Sequence, residues 1–162
     1  MIAATPLPSP TFRPARASDL GTIETLLTTA GLPTAGVQEI ITRDAAQFVV
    51  AVDATTGDVV AVAGLEVCCE HALLRSVAVR DDWQRHGLGH ELVKRVVCEA
   101  EARGIAAVYL LTMTAEHYFP RFGFAPVARD AVPADIASTL EFRSACPASA
   151  VAMHRSLDTH AS

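Results

Sequence analysis

The chain has 162 residues, of which 51% are hydrophobic and 19% are charged, a balance typical of one globular domain with a sizeable core. Its formal net charge of -5 gives no electrostatic reason to expect a nucleic acid or an anionic membrane surface as a partner. No apolar run approaches the roughly 20 residues that a membrane-spanning helix needs, so we expect no membrane partner either.

The N-terminal segment "MIAATPLPSPTFRP" lacks the basic start and apolar centre of a secretory signal peptide, and it is rich in proline. We therefore expect residues 1–10 to form a flexible tail and residues 11–162 to form a single domain. A cytoplasmic location follows as the default.

The four cysteines are Cys68, Cys69, Cys98 and Cys146, and they show neither a CxxC pair nor a Cys/His spacing typical of metal ligands. Adjacent residues on a strand point to opposite faces, so Cys68 and Cys69 would make a poor chelate. We predict buried, reduced thiols and no metal. A thiol site for a soft metal or metalloid is the alternative.

Apolar spacing and turn residues divide the chain into alternating strands and helices. The first helix follows Ser18 or Asp19 and stops at Gly31 and Pro33, and the segment "VQEIITRD" is a second short helix. The predicted strands, in chain order, are Phe12–Arg16, "QFVVAVD", "VVAVAGLEVCC", Ala72–Val79, Ala106–Thr112 and "SAVAMHRSL".

A third helix, "LGHELVKRVVCEAEARG", has Leu88, Leu92, Val96 and Ala100 on one face and is closed by Gly104. The segment "AEHYFPRFGF" predicts a fourth, short helix ending at Gly123. The resulting order is β-α-α-β-β-β-α-β-α-β-β, an α/β (α+β) fold in which helices flank a mixed central sheet.

Gly87 and Gly89 lie where the strand Ala72–Val79 passes into the third helix. The N-terminus of a helix presents unpaired amide groups, and residues without a Cβ let an anion approach them. Arg85 and His86 add positive charge, so a diphosphate is a good candidate ligand. Glycines also serve turns and helix ends with no ligand at all, and this structural interpretation stays open.

The stretch "QRHGLG" (Gln84–Gly89) after a strand and before an amphipathic helix resembles the acetyl-CoA site of the GNAT superfamily of N-acetyltransferases. "RPARASDLGTIETLL" resembles the first strand and helix of that fold, and "FPRFGF" resembles its late aromatic signature. The resemblance implies that loop and helix amides hold the CoA pyrophosphate and that the edge of the central strand pairs with the pantetheine arm. The residues it assigns to acetyl-CoA are Val77, Ala78, Val79, Gln84, Arg85, His86, Gly87, Leu88, Gly89, His90 and Phe119.

Acetyl transfer needs a neutral amine and a proton for the departing thiolate. Many GNAT enzymes use a tyrosine as the acid at the position of Phe119, so Tyr118 beside it is one candidate. The aromatic pair also resembles amino-acid acetyltransferases of the N-acetylglutamate synthase type, which implies Thr112 as a second candidate. Packing for Tyr118 and a local backbone contact for Thr112 are the structural alternatives.

No base is fixed by a motif. The family's glutamate near the start of the central strand corresponds to Leu73, which has no acid-base chemistry. Glu66 is our first choice because it interrupts an apolar strand, where a charge needs a reason, although a structural salt bridge explains it equally well. The further candidates are Glu70, His71 and Glu141.

Arg75 also interrupts an apolar strand, and a buried guanidinium is costly unless an anion meets it. A core ion pair with Glu66 is one explanation, and a substrate carboxylate is the other. By resemblance, Arg143 corresponds to a late-loop arginine that holds a substrate carboxylate. Together the two arginines favour a small acidic amino acid.

"ALLRSVAV", "VYLLT", "AEHYFPRFGF" and "TLEFRSACPASAVAMHRSL" together resemble the N-acetyltransferases encoded with arsenic-resistance genes. This resemblance implies detoxification, by direct transfer from acetyl-CoA to the α-amino group of an amino acid or a mimic such as arsinothricin. A protein or peptide N-acetyltransferase and a non-catalytic, CoA-binding regulatory domain are the alternatives. The expected partner is a small-molecule amine, and members of the fold often form homodimers.

Overall fold

The computed structural model describes residues 10–145 and 149–157, and within these ranges seven strands join one sheet. The strands are β1 (Pro10–Pro14), β2 (Phe48–Asp53), β3 (Val59–Cys68), β4 (His71–Val79), β5 (Ala107–Thr112), β6 (Ala125–Pro126) and β7 (Val151–Ser156). The α-helices are α1 (Leu20–Thr29), α2 (Val37–Asp44), α3 (Leu88–Ala102) and α4 (Ala134–Ala137).

The strands lie side by side in the order β1-β2-β3-β4-β5-β7-β6. All neighbouring pairs are antiparallel except β4 and β5, which are parallel and joined by α3. This mixed sheet is the predicted one. No helix in the described ranges is long and apolar enough to cross a membrane.

Helices cover both faces of the sheet because each has one apolar stripe. On one face, α1 and α2 bury their apolar residues against β2 and β3 in a cluster around Phe48. On the other face, α3 buries Leu88, Leu92, Val93, Val96 and Val97 against the same strands and β4. The sheet is therefore the middle layer of three.

Strands β4 and β5 pair only near their start, and this positions the candidate site. Their parallel register runs from His71↔Ala107 to Leu73↔Tyr109 and is not continued along the rest of β4. On the other side, β3 and β4 slip register between Val62 and Gly64, so two residues of β4 face one of β3. Such a bulge bends a strand. Ser76, within it, has a positive φ of 61°.

The fourth predicted helix is only partly correct. Its region contains one 3-10 turn, Phe119–Phe122, ended by Gly123 in the left-handed conformation. Pro120 has no amide donor, so an α-helix that begins near Ala115 cannot continue through it, and Gly123 ends the turn three residues later. The four-residue helix α4, in the stretch rich in proline and alanine before β7, was not predicted. Pro10, which we placed in the tail, begins β1, and residues 1–9 lie outside the described ranges.

The prediction of buried cysteines is wrong for two of them. Cys69 and Cys98 are exposed, and Cys68 is half-buried. Cys69 lies in the β3–β4 turn with a positive φ of 59°, so it does not continue the strand as we assumed. Burial raises the pKa of the Cys68 thiol to about 11, which keeps it protonated. Cys146 lies outside the described residues.

Candidate active site

A cavity of about 680 Å³ opens where β4 and β5 separate. Its walls come from the loop after α1, from the bulged part of β4, and from the end of β5 with the segment that follows. The lining residues are Ala30, Gly31, Leu32, Pro33, Leu74, Arg75, Ser76, Val77, Leu110, Leu111, Thr112, Met113, Thr114, Ala115, Tyr118, Phe119 and Glu141. The cavity is therefore mostly apolar, with a few polar groups.

Arg75 is fully buried in this wall, and the structure accounts for its charge. Its guanidinium donates to the Ala35 carbonyl at 2.7 Å, to Ser76 Oγ at 3.0 Å and to Glu66 Oε1 at 3.4 Å. The ion pair with Glu66 that the sequence left open is thus present. Through Ala35, Arg75 also ties the loop between α1 and α2 to β4.

Glu141 is the second charged side chain of the described lining and is only 4% exposed. Its Oε1 lies 3.7 Å from Arg75 Nε. Burial raises the pKa of this carboxyl to about 7, with the Arg75 charge opposing the rise and the Glu66 charge adding to it. A carboxyl that titrates near neutrality in a cavity is suited to exchange protons with a ligand.

The far end of β4 offers an open backbone edge beside the cavity. Val77 and Val79 are partly buried, whereas the Ala78 side chain is packed in the core, so a role for Ala78 is limited to its backbone. Ala78 and Val79 pair with β3, Val77 lies in the bulge, and the β5 side of all three lies past the end of the β4–β5 register. An extended ligand chain fits that edge as an added strand would.

The N-terminus of α3 lies next to this edge. Gly87 precedes the helix with φ +76°, and no side chain caps the helix there. A Cβ on Gly89 would lie 3.7 Å from Val79 Cγ2 and 3.8 Å from Tyr118 Oη. A pocket of about 260 Å³ faces this turn, lined by Val79, Trp83, Gln84, Arg85, Gly87, Leu88, Gly89, His90, Tyr118 and Arg121. Unpaired amides, the helix dipole and arginine charge make it suitable for a phosphate.

The side chains of the predicted loop differ in what they contribute. Gln84 donates to the Val79 carbonyl at 3.1 Å, and Arg85 is exposed with a strained φ of +72°. The His86 ring lies against Trp83, and the His90 ring lies 4.8 Å from that of Phe122. The Leu88 side chain is in the core, so Leu88 offers only its backbone.

Tyr118 lines both the large cavity and the pocket of about 260 Å³ at the start of α3, the phosphate-sized pocket. Its ring packs edge-on against Phe119 and Phe122, and Arg121 lies 4.4 Å over its face. Burial raises the pKa of the Tyr118 phenol, which Arg121 opposes, so the hydroxyl keeps its proton at neutral pH. Phe119 is buried beneath it and lines the cavity.

Thr112, the other predicted proton donor, also lines the cavity and is buried. Its Oγ1 accepts the Ala115 amide at 2.9 Å. The local backbone contact that was the structural alternative is therefore present. The hydroxyl still has its own proton to donate.

Two of the weighed base candidates lie away from the cavity. Glu70 is exposed in the β3–β4 turn, and His71 Nδ1 lies 2.9 Å from Asp135 at the start of β4. Arg75 lies four residue steps along the extended strand from His71, a distance of about 13 Å. Glu66 and Glu141 meet at Arg75, and Leu73 is fully buried.

Arg143 follows Glu141 in the same helical turn, Glu141–Ala145, and its side chain is exposed. Its predicted contact with a substrate remains a prediction. Arg121 lines the pocket at the start of α3, and the sequence analysis did not single it out. Its position inside the motif "FPRFGF" could have indicated it. In the described residues no group of three or more His, Cys, Asp or Glu side chains is arranged to hold a metal ion.

The chain matches the family described as "Acetyltransferase (GNAT) domain" over residues 44–126, about half of its length. It is 30% identical over 136 residues to the amino-acid acetyltransferase of Pseudomonas syringae pv. tomato (strain ATCC BAA-871 / DC3000). That match covers 81% of this chain and 31% of the relative, so the chain spans about a third of the length of such curated relatives.

Two solved structures have the same fold. N-acetylglutamate synthase from Neisseria gonorrhoeae, complexed with coenzyme A and N-acetyl-glutamate, gives a TM-score of 0.77 at 18% identity, covering 92% of this chain and 35% of that chain. A Mycobacterium tuberculosis protein in complex with CoA gives 0.73 at 24% identity, covering 90% and 98%. These likenesses confirm the predicted fold class.

Proposed function

The chain belongs to the GNAT acetyltransferase family, and from that premise we propose that it is an acetyl-CoA-dependent N-acetyltransferase. We infer that it acetylates the α-amino group of a small amino acid or an amino-acid-like compound by direct transfer. The observation that carries this proposal is a single continuous path. The phosphate-sized pocket at α3 and the large cavity share Tyr118, and the open edge of β4 runs between them.

The donor side of the site fits CoA. The amides of the first turn of α3 can donate to a pyrophosphate because Gly87 and Gly89 leave them open, and Arg85 and Arg121 line the same pocket. The β4 edge from Val77 to Val79 offers backbone groups to an amide-containing arm. A thioester lying along that edge reaches the cavity at Tyr118.

The acceptor side is the large cavity. Its volume of about 680 Å³ suits a small molecule, and its walls are mostly apolar. The acetyl group supplies the electrophilic carbonyl carbon. This chain must supply a group that takes a proton from the amine and another that gives a proton to the leaving sulfur.

Tyr118 is the first candidate for the proton donor. It stands where the two pockets meet, and its phenol is protonated at neutral pH. Thr112, at the end of β5, is the alternative donor and also lines the cavity. Phe119 contributes packing because it has no proton to give.

The arginines bear on the substrate. Arg75 is already engaged by Glu66, Ser76 and Ala35, which leaves it less available to a substrate carboxylate than the sequence suggested. Arg143 is exposed beside the cavity-lining Glu141 and is the better candidate for such a contact. The narrower resemblance to arsenic-resistance acetyltransferases makes arsinothricin one member of the acceptor panel.

The proposal is tested by thiol release from acetyl-CoA against a panel of amines. The panel contains glutamate, phosphinothricin, arsinothricin, the other amino acids, a polyamine and a peptide with a free N-terminus. Turnover with one amino acid or its analogue supports the proposal. Turnover with the peptide alone replaces it with a peptide acetyltransferase, and CoA binding with no turnover replaces it with a regulatory domain.

A further inference from the structure

Glu141 and Glu66 flank the guanidinium of Arg75, but only Glu66 accepts a hydrogen bond from it. Arg75 Nη1 donates to Glu66 Oε1 at 3.4 Å. Arg75 Nε lies 3.7 Å from Glu141 Oε1, beyond hydrogen-bond length, and its proton goes to Ser76 Oγ at 3.0 Å. Arg75 therefore pairs with Glu66 and only faces Glu141.

The charges of this group do not balance by themselves. One guanidinium is matched against two carboxylates, and Arg75 and Glu141 are the charged side chains of the described cavity lining. An uncompensated carboxylate at 4% exposure is costly, because burial disfavours the charged form. A cation entering the cavity removes that cost. The acceptor of an N-acetyltransferase arrives as such a cation, its ammonium ion.

We propose that Glu141 is the general base of the reaction, which first holds the acceptor's ammonium group and then takes its proton. The inference rests on the proposed function and deepens it, because it assigns to Glu141 the role of base, for which sequence analysis favoured Glu66. Arg75 and Glu66 are positioning residues: their pair fixes the guanidinium, and the guanidinium faces the base.

The step balances as follows. One N–H bond of the ammonium breaks as its proton passes to a Glu141 oxygen, and the freed nitrogen lone pair attacks the thioester carbonyl carbon. The C–N bond forms, the C–S bond breaks, and the sulfur leaves with the electron pair and takes the proton of the donor, Tyr118 or Thr112. The nitrogen loses its second proton back to that donor, and Glu141 releases its proton to solvent.

The titration behaviour of the group agrees with this role. Burial raises the pKa of Glu141 to about 7, which is close to the value that serves a base at neutral pH. The charged groups that face it are Arg75 from β4 and Glu66 from β3. Arg75 lowers this pKa and Glu66 raises it, so loss of Glu66 moves it downward.

The test is the pH dependence of kcat/KM for the wild type, Glu141→Gln and Glu66→Gln, with the acceptor that the amine panel identifies. The wild type shows an acidic limb near pH 7, below which the rate falls about tenfold per pH unit. In Glu141→Gln we expect loss of that limb and a fall in kcat/KM of about 100-fold at pH 8. In Glu66→Gln we expect the limb to remain and to move to lower pH.

The two variants are matched because each neutralises one carboxylate beside the same guanidinium. A limb retained in Glu141→Gln, or lost in Glu66→Gln, overturns the assignment. Thermal unfolding and CoA titration show whether Glu141→Gln folds. If it does not fold, the pH profile of Glu66→Gln alone still tests the assignment. Absence of turnover in the wild type with every amine contradicts the proposed function itself, and so is distinct from both.

Discussion

The carboxylate of Glu141 and the guanidinium of Arg75 face each other at 3.7 Å without a hydrogen bond, because the Arg75 Nε proton is donated to Ser76. A buried carboxylate that accepts no hydrogen bond from its neighbouring guanidinium lowers stability, as expected of a residue with the base role proposed above.

Glu141 makes stability depend on pH in a direction that can be stated. Its pKa is raised in the folded state from 4.5 to about 7, so the folded chain binds its proton more tightly than the unfolded chain. Stability therefore falls as pH rises through this window. The free energy of unfolding of Glu141→Gln, minus that of the wild type, should increase by about 2–3 kcal/mol between about pH 4 and about pH 8. Urea unfolding measures it.

The control for this prediction is Glu39→Gln, which makes the same chemical change at an exposed position of α2. The pH dependence of the Glu141→Gln difference is compared with that of this variant. A difference between Glu141→Gln and the wild type that does not change with pH would mean that the Glu141 carboxyl titrates normally.

Gly89→Val should weaken CoA binding strongly and leave the fold intact. A β-branched side chain at the second residue of α3 blocks the approach of a phosphate to the first-turn amides. The Cβ itself meets neighbours at 3.7 Å and 3.8 Å, which is ordinary contact. Isothermal titration should show a rise in the CoA Kd of about 100-fold, equivalent to about 2.7 kcal/mol.

Gly21→Val is its matched control, because Gly21 is the second residue of α1 and a Cβ there meets nothing within 4 Å. CoA affinity should be unchanged in this variant. Equal losses in the two variants, or none in Gly89→Val, would remove the helix N-terminus from the CoA site.

Tyr118→Phe should lower kcat by about 100-fold with little change in the CoA Kd, because it removes the proton donor and keeps the ring contacts with Phe119 and Phe122. Thr112→Val is the comparison. It removes the acceptor of the Ala115 amide, so it should cost about 1 kcal/mol of stability and less of kcat. The reverse ranking of the two kcat values would assign the donor role to Thr112.

Arg143→Ala should raise the KM of the acceptor by about tenfold or more and leave that of acetyl-CoA unchanged, as expected for a lost charged hydrogen bond to substrate. Arg16→Ala, at another exposed arginine, controls for net charge. Steady-state kinetics with both substrates varied decides the matter. Equal changes in the two KM values would exclude Arg143 from the acceptor site.

Gly64→Ala should lower stability by about 1–3 kcal/mol, because its Cβ would lie 2.7 Å from two atoms of the Phe48 ring. Phe48 is fully buried and has no room to move. Adding Phe48→Leu makes space, so the cost of Gly64→Ala should shrink in that background. Urea unfolding of the four proteins gives the coupling, and additive effects would contradict the contact.

The parts of the fold that were predictable from sequence are those set by local patterns. The apolar stripe of α3, closed by Gly104, and the alternating runs of β2 to β5 each report one element through residues close in the chain. The position of Gly87 and Gly89 at the start of α3 was predictable for the same reason.

The arrangement of the charged side chains at the cavity was not predictable from sequence. Glu66, Arg75 and Glu141 come from β3, β4 and a turn before β7, and only folding brings them together. Sequence showed that Glu66 and Arg75 interrupt apolar strands, but not that Arg75 pairs with Glu66 while it only faces Glu141. The four-residue α4 and the left-handed Cys69 were missed because tertiary context decides such short segments.

The most direct test of the account is the mass of the acceptor after incubation with acetyl-CoA and the protein. Thiol release alone also follows from hydrolysis, whereas a mass gain of one acetyl group on the amine follows only from transfer. We predict an N-acetylated amino acid or amino-acid analogue in amounts that match the released CoA. Thiol release with unmodified amines, or acetate as the only product, would contradict the account.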